Sequence, residues 1–121
     1  MQIAKFLHAA VLVSDLEKSS AFYGSVLGLE KVNRILKYPG AWYQVGDFQI
    51  HLIVDKAAGT GTVQNTEKLG RNRHIALSVI DLEVAKARLL ESGFPVQMSA
   101  SGRAALFVRD PDGNVIELNQ A

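Results

Sequence analysis

The three histidines of the chain, His8, His51 and His74, are its clearest candidates for chemistry. Neutral imidazole is the commonest metal ligand among side chains, and its ordinary pKa lies close to physiological pH. The chain contains no cysteine, which excludes thiolate zinc sites, cysteine nucleophiles and disulfide scaffolds. Any metal held by these side chains would therefore be bound through nitrogen and oxygen atoms.

An internal repeat relates the histidines to one another. Residues 8–23 (HAAVLVSDLEKSSAFY) align without gaps on residues 74–89 (HIALSVIDLEVAKARL), with seven identities in sixteen positions at a constant offset of 66. The same offset places residues 50–52 (IHL) on residues 116–118 (IEL). Two matches at one offset indicate that the chain consists of two copies of one module.

Each copy predicts the element order βαβββ, and the whole chain an α+β fold. Asp15 and Asp81 are expected to cap the two helices, and Gly28 and Gly93 to end them. In the first module we expect a strand over 6–13, a helix over 16–27 and strands near 29–36, 41–46 and 48–54. In the second we expect a strand over 74–79, a helix to residue 93 and strands near 94–98, 104–109 and 114–119. Residues 1–121 thus form one domain, with module one at about 1–54, a linker at about 55–72 and module two at about 73–121.

The repeat predicts where the histidines meet. His8 and His74 begin the first strand of each module, and Glu117 takes the last-strand position that His51 occupies in the first copy. Since side chains alternate along a strand, the apolar neighbours of His51 and Glu117 should face the helix, and the two polar side chains the other side. If the modules pack with approximate two-fold symmetry, all four candidate side chains converge on one centre.

Three imidazoles and one carboxylate form a ligand set suited to Zn²⁺, Ni²⁺, Co²⁺, Fe²⁺ or Mn²⁺. Taken singly, a histidine in a strand is more often a hydrogen-bonded or surface side chain, and a terminal glutamate is usually solvated. The joint pattern favours a shared metal site, because an inward carboxylate between apolar neighbours is costly without a partner.

Other side chains are candidates for substrate binding. Arg103 follows a short Ser- and Gly-containing segment and would either meet an anionic substrate or face solvent. Trp42 and Tyr43 alternate in a predicted strand, so one should face the same side as His51 and the other the helix. The residue types alone leave both choices open.

Composition excludes several classes of function. The chain has 121 residues and a formal net charge of +1, without the basic excess that a dedicated nucleic-acid binder would show. Lys5, His8 and Asp15 interrupt the first apolar stretch too early for a signal peptide or a membrane span. We expect a soluble, cytoplasmic domain with a small-molecule substrate and no nucleic-acid or membrane partner.

Nearly the whole chain resembles the vicinal oxygen chelate superfamily, which includes glyoxalase I, bleomycin-resistance proteins and extradiol dioxygenases. The resemblance rests on VSDLEKSSAFYGSVLGL after His8, GDFQIHL, RHIALSVIDLEVAKARLLESGF and, most specifically, FVRDPDGNVIEL. It implies paired βαβββ modules forming a cupped mixed sheet, or open barrel, around a divalent metal, and commonly a homodimer. In some members of the family both subunits build the metal site. By similarity the four metal ligands are His8, His51, His74 and Glu117.

The resemblance also implies the chemistry. Metal ions in this family bind adjacent substrate oxygens and stabilise developing negative charge. Four protein ligands best match the glyoxalase I-like layout, in which a metal-stabilised enediolate forms and Glu117 would serve as both ligand and base. The expected function is a metal-dependent lyase or isomerase of a small α-oxygenated substrate, with Zn or Ni as the metal. A fosfomycin-type transferase, an iron-dependent dioxygenase and a non-catalytic, drug-binding protein of the bleomycin-resistance kind remain alternatives.

Overall fold

The computed structural model describes residues 1–59 and 63–121. The chain divides into two compact units, Met1–Ala58 and Gly59–Ala121. Each unit holds one four-stranded mixed sheet and one main helix. The predicted α+β fold of two βαβββ modules is confirmed. Among the helices that the structure describes, none is long and apolar enough to cross a bilayer.

The first unit is built on strands β1 to β4 in the sheet order β1-β4-β3-β2. β1 runs parallel to β4, and the other neighbours are antiparallel. Helix α1 continues into a π-helical segment of six residues. Gly28, two residues after this segment, has a φ of 75°. The elements are β1 His8–Val13, α1 Leu16–Ser20, the π-helical segment Ala21–Val26, β2 Glu30–Lys31, β3 Gly40–Val45 and β4 Phe48–Val54.

The second unit repeats this topology, with the sheet order β5-β8-β7-β6 and β5 parallel to β8. The helix caps repeat as well: the carboxylates of Asp15 and Asp81 each accept a hydrogen bond, at 3.1 Å, from the backbone N–H three residues ahead. Both carboxylates thereby satisfy a helix N–H that has no partner inside the helix. The elements are a 3₁₀ turn Leu69–Arg71, β5 His74–Val79, α2 Leu82–Glu91, β6 Val96–Met98, β7 Ala105–Arg109 and β8 Val115–Gln120.

One predicted element is shorter than expected. The strand expected at 29–36 is only two residues long, Glu30–Lys31. This strand lies at the edge of its sheet, so β3 alone can pair with it, and the chain leaves the edge so that Arg34 reaches the ring of Trp42. The segment 55–72, expected to link the two modules, ends in the 3₁₀ turn, where Leu69 is buried in an apolar cluster of the second unit. The middle of that segment, residues 60–62, lies outside the described residues.

The cores explain which face of each sheet remains available for chemistry. Ile50 and Leu52 are buried in the first unit, and Ile116 and Leu118 in the second, as the alternation of side chains predicts. In the first unit Tyr43 joins the aromatic core at Tyr23, with ring centroids 6.4 Å apart. His51 therefore projects from the face of β4 that points away from the first core, and Glu117 from the face of β8 that points away from the second core.

Candidate metal centre

The first pair of candidate ligands, His8 and His51, lies on neighbouring parallel strands. Ala10 of β1 is the register partner of His51 in β4, and His8 lies two residues earlier on the same face of β1. The two imidazole rings stack with centroids 3.9 Å apart and planes 15° apart. The nitrogen lone pairs of an imidazole lie in its ring plane, and two stacked, nearly parallel planes do not meet close to both rings. Both rings can therefore bind one ion only after one of them turns. His8 is exposed and His51 is buried, so His8 is the ring with room to turn.

An aromatic ring and a cation extend this stack. Trp42, the cross-strand partner of His51 in β3, lies on the other face of its imidazole, with centroids 3.8 Å apart and planes 2° apart. The guanidinium carbon of Arg34 lies 4.3 Å from the centroid of the Trp42 ring, a cation–π contact. Both faces of the His51 imidazole are therefore covered, and only its edge can bind a ligand.

A chain of hydrogen bonds determines which edge of His51 is available. The backbone carbonyl of Gly46 can only accept, so the atom of Gln44 that contacts it at 2.8 Å is the amide nitrogen. The amide oxygen of Gln44 then accepts from Gln49 Nε2 at 3.0 Å, and Gln49 Oε1 faces His51 Nε2 at 2.8 Å. His51 Nε2 must therefore carry the proton and donate it. While this chain is intact, Nδ1 is the nitrogen through which His51 can bind a metal ion.

The surroundings of His51 favour the neutral form of its imidazole. Burial lowers the pKa of its imidazole from 6.5, and electrostatic repulsion from the neighbouring His8 and Arg34 lowers it further. A neutral imidazole is the form that binds metal, so a lowered pKa reduces the competition from protons.

The second pair, His74 and Glu117, occupies the equivalent strands of the second unit. Ala76 is the register partner of Glu117, as Ala10 is of His51, so the repeat is preserved residue by residue. His74 Nε2 lies 3.3 Å from Glu117 Oε1. His74 Nδ1 contacts the backbone carbonyl of Asn72 at 2.8 Å. Since a carbonyl only accepts, Nδ1 carries a proton and Nε2 is the nitrogen directed at the carboxylate.

Two further side chains hold the buried carboxylate of Glu117. The Nδ2 of Asn119 donates to Glu117 Oε2 at 2.6 Å, and Arg103 Nη1 lies 3.8 Å from the same oxygen. Arg103 is itself anchored, because its Nε donates to the hydroxyl of Ser101 at 3.1 Å. The structure thus gives Arg103 a contact with a candidate ligand, although more than half of its side chain remains exposed.

The chemistry of the donors fits a divalent metal. His51 and His74 each use one ring nitrogen for a hydrogen bond and leave the other available, which is the usual arrangement of a metal-binding histidine. An unprotonated His74 Nε2 facing Glu117 Oε1 would bring two acceptors together, so this pair requires a proton or a metal ion beside it. In the part of the chain that the structure describes, no group of three or more His, Asp or Glu side chains is positioned to hold a metal ion. The structure shows two pairs of candidate ligands, one in each unit.

Sequence reasoning left the choice between Trp42 and Tyr43 open, and the structure distinguishes them. Trp42 faces His51, whereas Tyr43 is a buried core residue. It also gives roles to Gln49 and Asn119, which sequence reasoning did not single out. Each lies two residues from a candidate ligand on the same face of its strand, and that period-2 spacing is the signal that could have identified them.

Comparison with known proteins identifies the family. The sequence model of the Glyoxalase/Bleomycin resistance protein/Dioxygenase superfamily matches residues 5–118. The chain belongs to this superfamily. The resemblance carried by the FVRDPDGNVIEL segment is thereby confirmed. One fold can support many different reactions, so membership of the superfamily does not by itself define the reaction.

Individual proteins are similar to this chain over most of their length. A lactoylglutathione lyase of Salmonella typhimurium is 32% identical over 97% of this chain and 93% of its own. The glutathione transferase FosA of Serratia marcescens is 31% identical over 93% of this chain and 77% of its own. The crystal structure of a glyoxalase-family protein from Bacillus anthracis superposes with a TM-score of 0.76 at 27% identity, covering 99% of this chain and 97% of that chain.

Proposed function

We propose that this superfamily member is a divalent-metal-dependent lyase or isomerase of the glyoxalase type, acting on a small α-oxygenated substrate. The observation that supports this most directly is the equivalence of two side-chain pairs: His8 with His51 in one unit, and His74 with Glu117 in the other. Similarity to a lactoylglutathione lyase over nearly the whole chain supports the same reaction class.

The proposed ligands are His8, His51, His74 and Glu117. Three nitrogens and one oxygen suit Zn²⁺ or Ni²⁺ best, and Co²⁺, Mn²⁺ and Fe²⁺ are also compatible. When bound, the metal supplies Lewis-acid chemistry, polarising the substrate's adjacent oxygens so that the hydrogen on the neighbouring carbon becomes acidic.

Glu117 is the proposed base. Its Oε2 is occupied by Asn119 and faces Arg103, whereas Oε1 faces His74. Oε1 would take the proton from the hydroxyl-bearing carbon beside the carbonyl and return it to the carbonyl carbon. The hydroxyl proton would move to the former carbonyl oxygen, which completes an isomerisation with no net gain or loss of protons. The hydrogen bond from Asn119 keeps the carboxylate in one orientation during both transfers.

We further propose that the protein is a homodimer in which the His8/His51 pair of one protomer and the His74/Glu117 pair of its partner hold a metal together. Two ligands are too few for a stable site, because zinc in proteins usually has three or four protein ligands. Family resemblance supports a dimer, and each pair already has the second hydrogen bond expected of metal ligands.

The deciding experiment combines metal analysis with turnover. Elemental analysis of purified protein should find stoichiometric metal, and the metal-loaded protein should convert a methylglyoxal–thiol adduct. Glu117→Gln should lower turnover about 10²–10⁴-fold, the usual contribution of a positioned base, and His51→Ala should lose metal. If the unmodified protein and both variants contained no metal and behaved alike, the protein would be a ligand-binding module instead. The second candidate is a fosfomycin-type transferase, which the similarity to FosA supports. It would be indicated if the protein consumed fosfomycin together with a thiol and did not convert the methylglyoxal–thiol adduct.

A further inference from the structure

A cavity of about 200 Å³ lies in the first unit, beside the stack that covers His51. It is formed where the chain leaves strand β2 and returns to β3. Lys31, Arg34, Tyr38 and Trp42 supply its polar and aromatic lining, and Leu16 and Leu36 part of its apolar lining. None of the roles proposed above for the metal ligands uses this cavity.

The polar groups of the lining are suited to donating hydrogen bonds. Arg34 contacts the Trp42 ring through its guanidinium carbon, and the N–H groups of a guanidinium project outwards in its plane. Tyr38 Oη accepts the indole N–H of Trp42 at 2.8 Å, so its own hydroxyl hydrogen can still be donated to a ligand. Lys31 also lines the cavity, and its side chain ends in an ammonium group with three donors.

The charge of the lining is positive. None of the described residues that line the cavity is acidic. Glu30, the nearest acid in the sequence, is the register partner of Gln44 and does not line the cavity. A small cavity with two cations, a hydroxyl donor and an apolar base matches a carboxylate or phosphate attached to a short organic group.

We propose that this cavity binds the anionic group, a carboxylate or a phosphate, of the protein's small-molecule ligand. Trp42 separates the cavity from the His8/His51 pair, because one face of its ring lies under Arg34 and the other on His51. A ligand anchored at Arg34 would therefore have its remaining atoms at the rim of the His8/His51 stack. In specifying the substrate as an anion, the inference rests on the proposed function, whereas anion binding itself does not require the metal.

The test measures anion binding by metal-free, full-length protein at constant ionic strength. Inorganic phosphate and succinate are titrated separately, with isothermal calorimetry and the fluorescence of Trp42, the single tryptophan, as readouts. We expect saturable binding of at least one anion. Arg34→Gln and Lys31→Gln should each weaken it about tenfold or more, the value of one charge-assisted hydrogen bond. The tighter of the two anions identifies the ligand class.

Lys37→Gln is the matched control, since it removes a positive charge from the same segment without touching the cavity lining. Unchanged binding in Lys37→Gln supports a defined site. The proposal is overturned if all three variants lose anion affinity equally, or if Arg34→Gln binds the anion as tightly as the unmodified protein. If Arg34→Gln does not fold, Arg34→Lys keeps the charge without the planar fork and should still bind phosphate more weakly than the unmodified protein. Metal content of the unmodified protein, measured in parallel, tests the proposed function separately.

Discussion

The indole ring of Trp42 lies flat on the imidazole of His51, with ring centroids 3.8 Å apart and planes 2° apart. Because Trp42 is the only tryptophan of the chain, its fluorescence reports on this one histidine. We predict that Zn²⁺ added to metal-free protein changes the emission in a saturable way, since a metal bound at His51 alters the charge against the indole face. A fluorescence titration measures the change.

The controls separate metal binding at this pair from binding elsewhere. His51→Ala and His8→Ala should abolish the saturable change, whereas Lys37→Gln should leave it intact. Zinc bound stoichiometrically by elemental analysis with no change in emission would show that the ion does not bind beside Trp42.

The second prediction concerns the tautomer of His51. The hydrogen bonds from Gly46 through Gln44 and Gln49 place the ring proton on Nε2. Gln49→Leu removes the acceptor, so we expect a mixture of tautomers and zinc affinity about 10–100-fold lower, the usual effect of losing a partner behind a metal ligand. Two-bond ¹H–¹⁵N correlation spectra of metal-free protein distinguish the protonated nitrogen from the unprotonated one.

Gln49→Glu is the matched control, because a carboxylate still accepts from Nε2 although it can no longer donate to Gln44. The Nε2–H tautomer should persist in this variant. Spectra of the unmodified protein that show the proton on Nδ1 would contradict the deduction from the hydrogen-bond chain.

The third prediction follows from the lowered pKa of His51. Burial is the largest cause and the charge of Arg34 a smaller one, so Trp42→Ala should raise the pKa towards 6.5 further than Arg34→Gln does, and Lys37→Gln should not move it. An NMR titration of the imidazole in metal-free protein measures each value. A pKa at or above 6.5 in the unmodified protein would contradict the structure.

The same shift has a consequence for folding stability. The unfolded chain binds a proton at His51 near pH 6.5, whereas the folded chain does so only at lower pH. Between these two pKa values the unfolded state holds more protons, so the free energy of unfolding decreases as the pH falls through this window. Urea unfolding at several pH values should show a smaller decrease for His51→Phe than for the unmodified protein.

The sequence predicted the features that depend only on residues close together along the chain. The repeat predicted both Asp caps, both glycine helix ends and the strand positions of His51 and Glu117, because capping, φ > 0 and side-chain alternation depend on near neighbours. It was wrong at residues 29–36, which have the composition of a strand, because pairing at a sheet edge and the attraction of Arg34 for Trp42 are properties of the folded unit. The roles of Gln49 and Asn119 were missed for a related reason: an amide has no preferred partner until the strands place one beside it.

The final prediction tests how the two pairs of ligands combine. One variant loses the first pair, His8→Ala with His51→Ala, and the other loses the second, His74→Ala with Glu117→Ala. If each metal site takes one pair from each protomer, neither variant alone binds metal. A heterodimer of the two contains one site with four intact ligands and one with none. After the variants are mixed under conditions that exchange subunits, the separated heterodimer should therefore bind about half as much zinc as the unmodified dimer, because intact pairs of different protomers meet at one of its two sites. Elemental analysis of the separated heterodimer measures this. Heterodimers that stay free of zinc would contradict a site shared between protomers and would require both pairs to come from the same chain.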